Sequence, residues 1–152
     1  MHASIIAELS KKNEDQLVIV PIRDRDHEGK NSKGLDNVDF KFLHFKNGML
    51  RFFPLLKVIL LAFRVYPLLR ESLEVLSDKG KKQDVVAHNF WSDGMIAFFN
   101  SFFIPMRYML VVRNTDINYF IAKLPHYRWL MAWVIKRSEG LTFVSRSHYL
   151  RF

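Results

Sequence analysis

The stretch DVVAHNFWSDGMIAFFNSFFIPMRYMLVVRNTD, residues 84–116, decides the fold of this chain. It opens with one short apolar run, residues 84–88, and closes with another, residues 108–112, and both suit strands that are buried in a sheet. Between them, residues 95–103 place apolar side chains at helical spacing, with Asp93 as a candidate helix cap and Pro105 beyond the end. The pattern predicts a strand, a helix and a second, parallel strand.

The same alternation extends in both directions along the chain. Downstream, residues 126–137 form a predicted helix, Gly140 ends it, and residues 141–145 form the last strand. Upstream, residues 17–22 read as a strand buried on both faces, and residues 38–45 alternate like a half-exposed strand, with a polar loop between them. The order predicts an α/β fold in one domain, residues 1–152, with a Rossmann-like, mainly parallel sheet sandwiched by helices.

A long helix is predicted over residues 50–76, with Pro54 near its start and a kink or interruption at Pro67. Its polar positions Lys57, Arg64 and Glu71 recur every seven residues, so a wide apolar surface surrounds a narrow polar stripe. We therefore expect the helix to be mostly covered by packing on the sheet. Docking on a membrane or on a further domain is the alternative.

Composition restricts the class of protein. The 152 residues include 23 Lys and Arg, 15 Asp and Glu and no cysteine, which excludes disulfides, thiolate zinc sites and cysteine nucleophiles. Residues 51–152 hold fifteen basic and seven acidic side chains, which accounts for the whole net charge of +8. Such a surface favours phosphate-bearing partners or is simply a solvated basic face. The absence of nucleic-acid-binding motifs argues against nucleic acid as the partner.

Targeting signals are not apparent in the sequence. The amino terminus has no basic region followed by a long apolar one, and the most apolar stretch, residues 52–63, is shorter than the ~20 residues that a spanning helix needs. We expect a cytoplasmic protein that makes peripheral contact with the inner face of a membrane.

Polar side chains follow the predicted strands at the edge where α/β proteins bind ligands. His88 and Asn89 follow one strand, and Arg113, Asn114 and Asp116 follow the next. Every α/β protein places polar residues where a strand meets solvent, so the pattern by itself is also compatible with a purely structural role. None of the phosphate-loop, dinucleotide, nucleophile-elbow or zinc-protease motifs is present, and the six histidines do not pair at metal-ligand spacing. We expect neither a metal nor a cofactor.

Three segments together resemble the amino-terminal domain of family 4 glycosyltransferases, which have the GT-B fold. They are residues 84–88 followed by Gly94, residues 112–116 with the sequence VRNTD, and residues 141–145 with the sequence LTFVS. The resemblance implies half of a GT-B fold that is incomplete at both ends. The first strand with its glycine-rich loop and the carboxyl-terminal domain that binds the nucleotide-sugar are missing from the pattern. An unfilled strand position would expose a sheet edge and favour a homodimer.

The resemblance further implies part of a retaining glycosyltransferase, an enzyme that transfers a sugar from a nucleotide-sugar to an acceptor hydroxyl on a glycan, polysaccharide or lipid-linked molecule. This fragment would supply the acceptor side and be inactive alone. His88, Asn89, Arg113, Asn114 and Asp116 are implied to line the cleft, while catalytic residues stay unassigned. Arg113 could bind phosphate or carboxylate, and Asp116 could accept a hydrogen bond from the acceptor or cap the next helix.

The alternative is a non-catalytic α/β module that binds a partner or an anionic membrane through its basic, aromatic face. That face would include Arg128, Trp129, Trp133, Lys136 and Arg137. Parallel pairing of the strands at 84–88 and 108–112, with His88 and Arg113 at the same edge, is the arrangement that the glycosyltransferase hypothesis requires.

Overall fold

The fold is described from a computed structural model, for residues 16–22, 38–45, 48, 52–78, 84–113, 115, 116, 118, 125–144 and 146–151. The contacts of the chain divide it into two compact units, Met1–Lys57 and Val58–Phe152. The predicted α/β class with parallel strands and packed helices is confirmed. The described strands form two sheets rather than the one we predicted, because the pairing partner of each strand is set by tertiary contacts that periodicity does not encode.

The first unit contains two parallel strands, β1 (Gln16–Ile22) and β2 (Val38–His44), paired in register from Gln16 opposite Val38 to Ile22 opposite His44. The backbone N–H of Phe45 donates to the carbonyl of Ile22 at 3.0 Å, and both side chains are buried. Most of β1 is only half-buried, so the prediction of burial on both faces is wrong there. An apolar β-branched run specifies a strand, whereas its cover depends on what packs against it.

The second unit is built on β3 (Asp84–Ala87), β4 (Arg107–Val112) and β5 (Gly140–Phe143), which are parallel and ordered β3-β4-β5. The central strand β4 has the deepest burial, with Leu110 and Val112 fully buried. A π-helix (Phe90–Gly94) and helix α2 (Met95–Asn100) connect β3 to β4. A 3₁₀ turn (Pro125–Tyr127) and helix α3 (Arg128–Arg137) precede β5, and α4 (Arg146–Arg151) follows it.

One face of the three-stranded sheet carries the core of this unit. The Tyr108 hydroxyl donates to the carbonyl of Val134 on α3 at 2.8 Å, and burial raises the pKa of Tyr108 to about 12. On the opposite face, Val86 and Met109 lie side by side in the strand register and are partly exposed. Side chains of β4 alternate between these two faces because successive residues of a strand point to opposite sides, whereas its continuous apolar sequence predicted burial on both.

Helix α1 (Pro54–Asp78) spans 25 residues and begins four residues later than predicted. Pro54 occupies its first position, where the missing N–H matters least. Pro67 does not interrupt the helix. Its ring removes the donor for the carbonyl of Phe63, but both residues lie on the exposed side, where water can hydrogen-bond that carbonyl.

The prediction that α1 is mostly covered is also wrong. One stripe is buried, and it contains Val58, Leu61, Ala62, Val65, Leu69 and Leu73. On α2, the buried amide of Asn100 donates to the carbonyl of Ala62 at 3.3 Å and so joins the two helices. Leu56, Leu60 and Phe63 remain exposed beside this stripe, because a helix buries only the face that meets a neighbour.

Candidate functional site

The segments that follow β3 and β4 lie at the same end of the second sheet, the edge formed by the carboxyl ends of its parallel strands. The two strands pair in parallel from Asp84 opposite Arg107 to Ala87 opposite Leu110, so both run toward this edge. His88 comes directly after β3 and Arg113 directly after β4, and both are half-buried. This is the arrangement that the glycosyltransferase hypothesis requires. In open parallel sheets, ligands bind at such an edge.

Asp116 fastens these two segments together. Its fully buried carboxylate accepts hydrogen bonds from the backbone N–H groups of Phe90 and Trp91, both at 3.2 Å, and of Arg113 at 2.8 Å. Burial raises the pKa of Asp116, while the three N–H groups and the charge of Arg113 act in the opposite direction. The carboxylate is therefore used to hold the loop backbone, and it exposes no surface to an acceptor in this structure.

Asn89, and not Asp93, caps the helical segment that follows β3. Its side-chain oxygen accepts the Ser92 N–H at 3.1 Å, and its carbonyl accepts the Gly94 N–H at 2.9 Å, the spacing of a π-helix. The predicted start at Asp93 is wrong because Asn89 is an equally good cap one turn earlier. The extra π turn lengthens the segment between β3 and α2.

Gly94, the last residue of the π-helix, packs closely against the central strand of the sheet. A methyl group at Gly94 would lie 2.7 Å from Cδ2 of Leu110, which is fully buried in the central strand. We expect Gly94→Ala to lower the free energy of unfolding by about 1–3 kcal/mol through overpacking, measured by urea denaturation. Leu110→Val should recover part of that loss in the double variant. Additive effects of the two substitutions would contradict the proposed contact.

Asp93 is the titratable group with the clearest perturbation at this edge. It is half-buried, and Ser92 donates its hydroxyl to the Asp93 carboxylate at 3.0 Å. Burial, with a further contribution from the negative charge of Asp116, raises the pKa of Asp93 to about 6, against the opposing effects of Ser92 and Arg113. A carboxyl group with such a pKa in a partly open site can accept or release a proton near neutral pH.

The five predicted site residues thus differ in what the structure shows of them. His88 and Arg113 stand at the shared edge, half-buried, and Asn89 and Asp116 are engaged in holding the backbone of the same two segments. Asn114 lies outside the described residues. Ligand binding by any of the five stays a prediction.

Ser92 and Asp93, which also lie at this edge, are not among the five predicted residues, because an aspartate just before an apolar helical pattern predicts a helix cap. The available signal was the repetition of an aspartate after each of two neighbouring predicted strands, at positions 93 and 116. Two carboxylates that end at one sheet edge perturb each other, and sequence spacing alone does not show that they meet.

Within the described part of the chain, no group of three or more histidine, aspartate or glutamate side chains is placed to hold a metal ion. In the same residues, no helix is long and apolar enough to cross a membrane.

Comparison with known proteins gives no relatives. No model of a protein family matches the sequence, no curated protein is significantly similar to it, and no solved structure is significantly similar to its fold.

Proposed function

We propose that this chain supplies the acceptor-binding side of a retaining glycosyltransferase that uses a nucleotide-sugar donor. The proposal is supported by the sequence resemblance and, above all, by one observation: β3 and β4 are parallel neighbours, with His88 and Arg113 directly beyond their carboxyl ends. An acceptor would bind at this edge, which we call the polar edge and define as His88, Ser92, Asp93 and Arg113.

The chemistry of the polar edge suits a hydroxyl-rich, phosphate-bearing ligand. The Asp93 carboxylate can accept hydrogen bonds from sugar hydroxyls, and the Arg113 guanidinium can bind two oxygens of a phosphate at once. The backbone beneath Arg113 is fixed, because its N–H donates to Asp116. Fixing the backbone reduces the entropy that ligand binding would otherwise lose.

The proposed part of this chain in the reaction is to position the acceptor. In glycosyl transfer, the bond from the anomeric carbon to the diphosphate oxygen breaks, a bond to the acceptor oxygen forms, and the proton of the acceptor hydroxyl is released together with the nucleoside diphosphate. Holding the acceptor hydroxyl toward the donor converts this into an effectively unimolecular step. The polar edge would provide that orientation, and the donor sugar and its nucleotide would be bound elsewhere in the complete enzyme.

The test is a titration of the ¹⁵N-labelled chain, followed by two-dimensional NMR, with glucose 1-phosphate, N-acetylglucosamine 1-phosphate and methyl glucoside. We expect shifts of backbone amides at positions 88–93 and 113. Arg113→Ala should weaken sugar-phosphate binding by about 10- to 100-fold, as expected for the loss of a charged hydrogen bond, and affect methyl glucoside much less.

Arg107→Ala is the matched control, because it removes the same charge from the opposite, amino end of the same strand. It should leave sugar-phosphate binding nearly unchanged. Equal losses from both variants would mean nonspecific attraction by the basic surface, and shifts located away from the polar edge would refute the proposal.

A second candidate function is a binding module without catalysis. The exposure of large aromatic side chains on the second unit favours it, since soluble monomers seldom expose many together. Absence of sugar and sugar-phosphate binding in the same titration would favour this candidate over the glycosyltransferase.

A further inference from the structure

Five of the aromatic side chains that the described part of the second unit exposes to solvent lie on, or just after, helices α1, α2 and α3. We call them the aromatic ridge: Trp129 and Trp133 on α3, Phe102 and Phe103 just after α2, and Phe63 on α1. Each is between 55% and 68% exposed. Exposed apolar side chains that occur singly need no explanation, but a connected group of them marks a surface that binds something.

The ridge is continuous along α3 and onto the end of α2. Trp129 and Trp133 occupy one face of α3 on successive turns, with their rings edge to face at 5.8 Å. Arg137 follows one turn later on that face, and its guanidinium lies 4.5 Å above the ring of Phe102. Two hydrogen bonds to the Ser101 hydroxyl and carbonyl, at 2.7 and 2.8 Å, fix the guanidinium there.

The ridge continues from α2 to α1. The ring of Phe103 meets the ring of Tyr66 edge to face at 6.3 Å, and Phe103 and Phe63 together border an apolar pocket of about 360 Å³. The remaining lining comes from Ile59, Ala62, Tyr66, Phe99 and Asn100. A surface of this kind has hydrocarbon at its centre and cations along α3.

The charge around the ridge is strongly one-sided. The described residues between 94 and 138 include five basic side chains and a single acidic one, Asp116, which is buried. On α3 itself, Arg128, Lys136 and Arg137 are exposed beside the two tryptophans. The nearest acidic residue in the sequence is Glu139, beyond the end of the helix. Any partner that the ridge fits must therefore carry both apolar surface and negative charge.

We infer that the aromatic ridge docks the protein on the surface of an anionic lipid bilayer. Tryptophan rings are favoured at the boundary between lipid headgroups and acyl chains, and each nearby Lys or Arg strengthens binding to anionic lipid. The phenylalanines and the pocket offer further apolar surface to the acyl chains. Single-stranded nucleic acid also stacks on aromatic rings. Phe63, Phe99 and Phe103, however, line one apolar pocket, which favours hydrocarbon over bases. The inference does not depend on glycosyl transfer.

The test measures partition of the full 152-residue chain onto vesicles of phosphatidylcholine with and without 30 mol% phosphatidylglycerol. We expect binding to the anionic vesicles, at least tenfold weaker binding to the neutral ones, and a blue shift of tryptophan fluorescence. The shift would come from Trp129 and Trp133, since Trp91 is already buried. Trp129→Ser with Trp133→Ser should weaken binding at least about tenfold.

Matched variants separate the ridge from general effects. Trp129→Phe with Trp133→Phe keeps the apolar surface and should bind nearly as well as the native chain. Val75→Ser removes an apolar side chain that is exposed elsewhere on α1, and it should leave vesicle binding nearly unchanged. For charge, Arg128→Gln with Lys136→Gln should weaken binding about tenfold. Arg70→Gln with Arg146→Gln removes the same net charge from exposed positions on other helices and should weaken it less.

Four results would overturn the inference. Equal binding to neutral and anionic vesicles would refute the electrostatic part, and equal losses from both pairs of charge variants would refute the location. Absence of vesicle binding, together with a dimer in analytical ultracentrifugation that the double Trp→Ser variant abolishes, would make the ridge an interface between copies. Binding of single-stranded oligonucleotides, with no vesicle binding, would assign the ridge to nucleic acid instead.

Discussion

Replacing Asp116 by alanine is expected to lower the free energy of unfolding by about 3–5 kcal/mol. The substitution leaves the N–H groups of Phe90, Trp91 and Arg113 without their acceptor, two of them in the buried segment after β3. Each buried donor that loses its partner costs about 1–3 kcal/mol, and removal of a buried charge returns part of the sum. Urea denaturation followed by the fluorescence of the chain measures the change.

Asp84→Ala is the control for this prediction. Asp84 is an exposed aspartate on β3 that forms an ion pair with Arg107 at 3.3 Å. Such surface ion pairs contribute little, so we expect a change of about 0.5 kcal/mol or less. Asp116→Asn keeps the shape but turns amide hydrogens toward N–H donors, so it should be destabilising as well. If the free energies of unfolding of Asp116→Ala and Asp84→Ala differed by less than about 1 kcal/mol, the role of Asp116 in holding the two segments together would be refuted.

Replacing Asp93 by asparagine is expected to remove a pH dependence of stability worth about 2–3 kcal/mol. The pKa of Asp93 is about 6 in the folded chain against an ordinary value of 3.8, so the folded state holds this proton more tightly than the unfolded state does. Native stability should therefore fall as pH rises from about 4 to just above 6, and this contribution stays constant at higher pH. Asparagine stays neutral throughout and keeps an oxygen for the Ser92 hydroxyl.

The measurement compares urea unfolding of the native chain and of Asp93→Asn at several values between pH 4 and pH 7. The native chain should lose stability relative to the variant across this interval, until the variant is the more stable at pH 7. Taking the difference cancels the titration of other groups that the two chains share. A difference that stays constant with pH, or an NMR titration of the Asp93 carboxyl with a midpoint near 4, would contradict the assignment.

The chain order of strands and helices was determined by the sequence alone. Apolar or alternating segments of five to eight residues predicted all five described strands, and the polar residues beyond β3 and β4 lie at one edge of the second sheet, as predicted. These features are local: side-chain branching favours extended backbone, and alternation reports which residues share a face. The basic charge of the second half is likewise a property of the sequence, wherever the chain folds.

Tertiary structure decided which strands pair and which side chains contact one another. Whether β1 and β3 belong to one sheet, which stripe of α1 is buried, and whether Asp116 faces a ligand or the backbone depend on contacts between residues that are distant in sequence. Asn89 and Asp93 are both good helix caps, and in the fold Asn89 is the one that caps, with Gly94 packed against Leu110. The continuity of the aromatic ridge likewise comes from packing, since Phe63 meets Phe103 at one pocket, and Arg137 covers Phe102, only when α1, α2 and α3 pack. Local sequence sets each element, whereas the environment of a side chain is set by the elements that pack around it.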